Sequence, residues 1–226
     1  MGRAERPKVS VAIVAHNHEP FIAQAIEGVL AQKIDFDLEI IVGEDRSTDR
    51  TAEVVQDYVN RYPNIVRMVR SESNVGLFQN CMQLLNACNG DYVAIMDGDD
   101  RWAYEYKLQK QVDFLENNKD YSGSFHDAEI VVSDQDDKNT QNYLRAFRLY
   151  SQFNRYNSDL HPWELVERTI IPTSSFVFRN IPLENELMKF KDICESLDWV
   201  TELLVIKHGR FKYFNGAWSI YNNISA

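Results

Sequence analysis

The first half of the chain alternates short apolar runs with amphipathic stretches, and this alternation restricts the fold more than any other feature. Val9–Ala15, Leu38–Val42, Val66–Arg70 and Tyr92–Met96 read as strands. Between them lie three helices: Pro20–Ala31, a segment capped at Ser47, Thr48 or Asp49 and running through Tyr62, and Leu77–Ala87. A helix over Lys107–Asn117 and a strand over Ser122–Val132 continue the series. Strands alternating with helices predict an α/β fold with a mostly parallel central sheet flanked by helices on both faces. The second half is less regular. Ser133–Asp159 is polar but carries Tyr143, Phe147, Tyr150, Phe153 and Tyr156, and is expected to be a mobile excursion with some helix. Pro162–Val166 starts a short helix, Thr173–Arg179 reads as a strand, Asp198–Lys207 as an amphipathic helix and Phe211–Phe214 as a closing strand. No boundary signal divides the chain, so one domain is expected over residues 8–226 after a flexible stretch, 1–7.

In parallel sheets, ligands bind beyond the carboxyl ends of the strands. Three such ends carry polar loops here: Ala15-His16-Asn17, Gly43-Glu44-Asp45-Arg46-Ser47-Thr48-Asp49, and Asp97-Gly98-Asp99-Asp100. Three carboxylates within four positions repel one another unless a cation or hydrogen-bond donor sits among them. Asp-x-Asp at a strand end suits a hard divalent ion and, through it, a diphosphate; the competing reading is a solvated acidic turn. Neither Gly-x-Gly-x-x-Gly nor a Gly-Lys-Ser/Thr phosphate loop is present, which excludes the ordinary dinucleotide and P-loop readings.

Charge narrows the partners. With 34 acidic against 24 basic residues the net charge is −10, which argues against nucleic acid, whose binders show a basic stripe. Two like unit charges about 4 Å apart repel by roughly 4 kcal/mol at an effective dielectric near 20, so an anionic substrate calls for a bridging metal. Three cysteines, Cys81, Cys88 and Cys194, lack metal-site spacing, and Cys81 and Cys88 read as small core residues. No apolar stretch has bilayer-spanning length, and the first seven residues lack the apolar core of a signal peptide, so a cytoplasmic protein is expected.

Taken in order, these motifs resemble a family 2 glycosyltransferase of the GT-A (nucleotide-diphospho-sugar transferase) fold. The resemblance runs from about Lys8 to Tyr221. It is carried by Val9-Ser10-Val11 leading to Ala15-His16-Asn17, then Glu44-Asp45-Arg46-Ser47-Thr48-Asp49 and Asn74-Val75-Gly76 with Asn80. Asp97-Gly98-Asp99-Asp100-Arg101-Trp102 and Lys107-Leu108-Gln109-Lys110-Gln111 follow. It implies an inverting, metal-dependent enzyme that moves a hexosyl or N-acetylhexosaminyl group from a nucleotide donor, a UDP-sugar first, to a saccharide or lipid-linked hydroxyl. The resemblance also implies Mn²⁺ or Mg²⁺, a role in cell-surface polysaccharide or lipopolysaccharide synthesis, and peripheral contact with the inner membrane face through the acceptor. Residues 8–120 would form the nucleotide-binding half and 121–226 the acceptor half.

Roles transfer position by position. Val14, Ala15, His16, Asn17, Glu44, Ser47, Gly76, Asn80 and Gly98 would surround the nucleotide-sugar, with Asp45 on the base and Asp97 near the ribose. Asp99, with Asp97, would hold the metal. Thr173, Ser174 and Ser175 match an acceptor-side segment whose hydroxyls line a pocket or satisfy a strand edge. Trp102 either stacks on the acceptor or anchors the core beneath the acidic loop. Asp198 fits the catalytic base or else a plain N-cap, with Glu195 and Glu202 as substitutes. His16 and His18 read as a surface pair before a second metal site, and Arg145, Arg148 and Arg155 as a solvated face before a phosphate contact. Two departures stand out: Leu197 replaces the acidic residue or glycine that usually precedes the base, and Tyr221-Asn222-Asn223-Ile224 lacks the usual tail histidine. A sugar nucleotidyltransferase and a nucleotide-sugar-binding protein without turnover are the alternative functions.

Overall fold

A computed structural model describes residues 6–132, 149–152, 159–160, 162–166, 171–194 and 197–223. The chain begins with β1 (Val9–Ala15), α1 (Ile22–Leu30), β2 (Leu38–Glu44), α2 (Thr51–Arg61), β3 (Val66–Arg70), α3 (Leu77–Ala87) and β4 (Tyr92–Asp97). Then come β5 (Arg101–Trp102), α4 (Lys107–Asn117), β6 (Tyr121–Val132), β7 (Asp159–Leu160) and α5 (Pro162–Val166). β8 (Val177–Arg179), α6 (Glu184–Leu187), α7 (Leu197–Val205) and β9 (Arg210–Asn223) complete it.

One sheet runs β3-β2-β1-β4-β8-β6-β9-β5, with β7 attached to β9. β1 pairs in parallel with β2 and β4, and β2 with β3, so their carboxyl ends share one edge. Every residue of β1 is buried, as a strand covered on both faces requires. Its alternate side chains feed two cores. Val9, Val11 and Ile13 pack with residues of α1, α2 and α4, such as Ile22, Tyr58 and Leu108. Ala12 and Val14 pack on the other face with α3, α5, α6 and α7, through Cys81, Leu165, Leu187 and Val200. Each fully buried Val, Leu or Ile contributes about 1.5–3 kcal/mol, so both faces hold the strand ends rigidly.

The central sheet is mostly parallel, as expected, with β8 running antiparallel to both β4 and β6. Several finer expectations are corrected. Thr173–Ser175 is a 3-10 turn, and the strand begins only at Val177. The closing strand extends over Arg210–Asn223, since β6 pairs with it in parallel along its length, with register shifts at His126/Asp127 and Asp127/Ala128. α2 has Arg50 at its N-cap; Asp49 instead accepts from the Thr51 N–H (2.9 Å) and Thr51 Oγ1 (2.6 Å). The excursion at 133–148 and 153–158, including Arg145, Arg148 and Arg155, lies outside the described residues, as does Glu195.

Candidate active site

The site grows from the carboxyl ends of β1, β2 and β4. The chain leaves β1 through Asn17, whose φ of 56° places it in the left-handed region that Asn tolerates. The Asn17 N–H donates to Ser47 Oγ (3.0 Å), and Asn17 Oδ1 accepts from the Thr48 N–H (2.8 Å), locking the first two loops together. His16 is half-buried; its Nδ1–H donates to the Asp45 carbonyl (2.8 Å), and Asn74 Nδ2 approaches its Nε2 (3.4 Å). Glu44 is fully buried, paired with the Arg70 guanidinium (2.5 Å) and accepting from the Ser47 N–H (2.6 Å). Ala15 is buried too, its carbonyl accepting from the Asp45 N–H (3.0 Å).

Asp45 is only 3% exposed, and both of its oxygens are engaged: Oδ1 accepts from the Val75 N–H (2.7 Å) and Oδ2 from the Gly76 N–H (2.8 Å). The carboxylate thus clips the β3–α3 loop at the point where Gly76, at φ 82°, turns the chain into α3. Buried Asn80 holds α3 to β2 by donating to the Gly43 carbonyl (2.8 Å). Each Asp45 oxygen has a further lone pair, so the clip leaves acceptor capacity for a ligand.

The acidic loop follows β4. The Gly98 N–H donates to the Val14 carbonyl (2.7 Å), pinning the loop to β1. A Cβ at Gly98 would stand 2.7 Å from His18 Nδ1 and 3.0 Å from the Val14 carbonyl, so the position has no room for a side chain. His18 therefore lies against the acidic loop rather than out in solvent, and burial lowers its pKa while Asp99 opposes the shift. Burial, reinforced by the neighbouring carboxylates of Asp99 and Asp198, pushes Asp97 up to about 7. Burial also raises Asp99, and raises Asp100 well above the usual carboxylate range with help from Asp97 and Asp99. Asn222 at the end of β9 holds this loop from the far side, donating its N–H to Asp100 Oδ1 (3.0 Å) and its side-chain amide to the Asp99 carbonyl. Sequence reasoning missed Asn222; its contribution depends on β9 pairing with β5, which no local pattern announces.

A cavity of about 340 Å³ adjoins the end of β4, lined by Val14, Ile95 and Asp97 from the sheet, Leu77 and Cys81 from α3, Thr173, and Leu197, Asp198 and Thr201 from α7. Asp198 lies in the first turn of α7, and its Oδ2 accepts from Thr173 Oγ1 (3.1 Å). Asp97 and Asp198 thus line one space, near enough for the Asp198 charge to act on Asp97. Thr173 lines that space, whereas Ser174 and Ser175 are fully buried, bonded to Ser219 Oγ (3.1 Å) and the Pro172 carbonyl (2.7 Å). Trp102, 5% exposed, donates from Nε1 to the Ser174 carbonyl (2.8 Å), with Lys107 Nζ 4.0 Å above its ring. Trp102, Ser174 and Ser175 are thus buried and do not line this cavity. Its apolar wall, Leu77, Cys81, Ile95 and Leu197, is a second part of the site that its sequence does not mark.

Among the described residues no group of three or more His, Cys, Asp and Glu is arranged to hold an ion alone. Hard divalent cations with diphosphate ligands need only one or two carboxylates, the phosphate oxygens and water completing the shell. The crowded pair Asp97 and Asp99, both raised by burial, fits that donor set.

The profile of Glycosyl transferase family 2 matches residues 10–183. An uncharacterized protein of Mycobacterium tuberculosis is 30% identical over 179 residues, 79% of this chain and 49% of its own length. The putative teichuronic acid biosynthesis glycosyltransferase TuaG of Bacillus subtilis is 33% identical over 110 residues, 49% of this chain and 42% of its own. The chain therefore spans about half the length of the curated relatives it matches. Among solved structures, residues 1–349 of Staphylococcus aureus TarS bound to UDP-GlcNAc superpose with TM-score 0.66 at 19% identity, covering 97% of this chain and 59% of that one. The mannosyltransferase PcManGT of Pyrobaculum calidifontis, bound to GDP-Man and Mn²⁺, gives 0.62 at 20% identity, covering 96% and 57%. With a mixed sheet in the GT-A arrangement and a profile match over most of its length, the chain belongs to glycosyl transferase family 2.

Proposed function

We propose that the chain transfers a sugar, with inversion at the anomeric carbon, from a UDP-sugar to a hydroxyl of a saccharide or lipid-linked acceptor. The observation that carries this reading is that Asp97 and Asp198 both line one cavity of about 340 Å³. A single displacement needs a group at the leaving diphosphate and a base on the far side of the sugar, and these two carboxylates are the candidates for the two roles.

Asp97 and Asp99 would hold Mn²⁺ or Mg²⁺, which when bound supplies Lewis-acid stabilisation of the leaving diphosphate. Asp198 takes the proton of the acceptor hydroxyl, and Thr173 Oγ1 orients it. Asp45, the Asn74–Gly76 loop, His16 and Asn17 shape the nucleoside end, within a nucleotide-binding half over residues 8–120. The apolar wall excludes water from the sugar. Assembly of a cell-surface polysaccharide is the process this reading favours, supported by the relative named for teichuronic acid biosynthesis. Among the described residues no helix is long and apolar enough to cross a membrane, and contact with the inner membrane face would come through the acceptor.

The test is Asp198→Asn. UDP release from UDP-sugars in the presence of Mn²⁺ should fall by about 10²–10⁴-fold, the usual contribution of a general base. The Kd for UDP should stay within about two-fold of wild type, because the variant leaves the nucleotide contacts in place. Equal loss of both would remove Asp198 as base. UDP binding with no turnover in wild type on any acceptor would favour the alternative of a nucleotide-sugar-binding protein.

A further inference from the structure

Apolar side chains, Val14, Leu77, Cys81, Ile95 and Leu197, make up most of the described wall of the cavity beside Asp97 and Asp198. Its polar lining is those two carboxylates with Thr173 and Thr201. The Thr173 hydroxyl donates to Asp198 Oδ2 (3.1 Å) and the Thr201 hydroxyl to the Leu197 carbonyl (2.8 Å). Each threonine has thus committed its hydrogen and offers the cavity only lone pairs. Cys81 adds a weak S–H donor. Among the described residues no lysine, arginine or histidine lines the space.

This set of groups discriminates between sugars. During transfer Asp97 is taken up at the diphosphate and Asp198 by the acceptor's proton. The two threonine oxygens then remain as side-chain acceptors for the sugar. An ordinary hexose brings hydroxyls at C2, C3, C4 and C6, more than those oxygens can satisfy. A hydroxyl buried against apolar side chains without a partner is destabilising, whereas a methyl group in the same place is favourable. C6 is the carbon that projects from the pyranose ring, so removing its hydroxyl turns a polar arm into a methyl. Charge acts in the same direction. Asp97 and Asp198 add to burial in raising the Cys81 thiol, so their field reaches the apolar wall. A carboxylate at C6 would meet that field with no cationic side chain to pair with.

We propose that the sugar transferred is a neutral 6-deoxyhexose, with its C6 methyl seated on the wall formed by Leu77, Cys81, Ile95 and Leu197. The proposal rests on the cavity being the place of transfer.

Three donors that differ only at C6 test it: UDP-6-deoxyglucose carries a methyl, UDP-glucose a hydroxymethyl and UDP-glucuronic acid a carboxylate. Each is titrated calorimetrically into the full chain with Mn²⁺, beside UDP alone, which reads the nucleotide grip without a sugar. UDP-6-deoxyglucose should bind about 10–100-fold more tightly than UDP-glucose, the discrimination an apolar pocket gives against one added hydroxyl. UDP-glucuronic acid should bind more weakly than either. Leu77 is 54% exposed, so Leu77→Gln puts a polar group on the wall without opening the core, and it should shrink the 6-deoxy preference to less than about 3-fold. UDP binding accompanied by equal affinity for UDP-glucose and UDP-6-deoxyglucose, or by tightest binding of UDP-glucuronic acid, overturns the proposal and leaves the nucleotide site standing. A full preference retained in Leu77→Gln overturns the methyl seat. Failure of UDP and all three donors to bind overturns the nucleotide reading and this proposal together.

Discussion

Replacing Asp45 with asparagine separates two jobs open to its carboxylate: clipping the β3–α3 loop and contacting a nucleobase. The clip consists of two short bonds from backbone N–H groups, at 2.7 and 2.8 Å, to a side chain 3% exposed. Asparagine keeps one acceptor oxygen and turns an NH₂ toward the other backbone N–H, leaving two donors face to face. Losing one hydrogen bond to a buried charged acceptor costs about 1.5–3 kcal/mol. For a domain of this size each kcal/mol moves Tm by about 2–4 °C, so the variant should melt about 3–12 °C below wild type. Thermal unfolding without ligand measures the clip, and calorimetric titration with UDP measures the nucleotide site; both should weaken, because the loop frames the site. An Asp45→Asn protein with wild-type Tm and impaired UDP binding would refute the clip and leave only base contact.

Gly98→Ala should disturb the acidic loop, since the new Cβ meets His18 Nδ1 at 2.7 Å and the Val14 carbonyl at 3.0 Å. Overpacking of this kind costs about 1–3 kcal/mol, read as a lowered urea midpoint together with weaker Mn²⁺-dependent UDP binding; an unchanged midpoint would contradict the close approach. Glu116 accepts from Lys8 (2.6 Å), Lys119 (3.0 Å) and Tyr92 (2.8 Å), which together hold its pKa at about 2 against an ordinary 4.5. A depressed folded pKa contributes stability above the unfolded value and loses it as pH falls. The Tm gap between wild type and Glu116→Gln should therefore be full at pH 6 and shrink from about pH 4.5 toward 2. A gap that widens on acidification would reverse the sign of the shift.

Local periodicity made the nucleotide half of the fold readable. β1, β3, α3 and α4 lie where their apolar spacing puts them, because each buries a face that its own residues define. The other half depends on partners distant in sequence. Val177–Arg179 offers three residues, too few to reveal that they reverse the sheet between β4 and β6. β9 is long only because β6 runs beside it, and that pairing brings Asn222 to the acidic loop. The same division runs through the site. Asp97, Asp99 and Asp198 were visible as carboxylates at element ends, where charge has no packing excuse. The engagement of Asp45 with Val75 and Gly76, the burial of Trp102 and Ser174, and the apolar wall around Cys81 and Ile95 are tertiary facts. Cys81 and Cys88 are small buried core residues, and burial raises both thiols, Cys88 to about 12.

The acidic loop as the grip on a nucleoside diphosphate is tested most directly by calorimetric titration of UDP into wild type and Asp99→Asn, each with and without Mn²⁺. Saturable binding that Mn²⁺ strengthens at least about 10-fold in wild type, about 1.4 kcal/mol, and no longer strengthens in Asp99→Asn is the predicted result. Equal UDP affinity in all four titrations, or none in any, would contradict it.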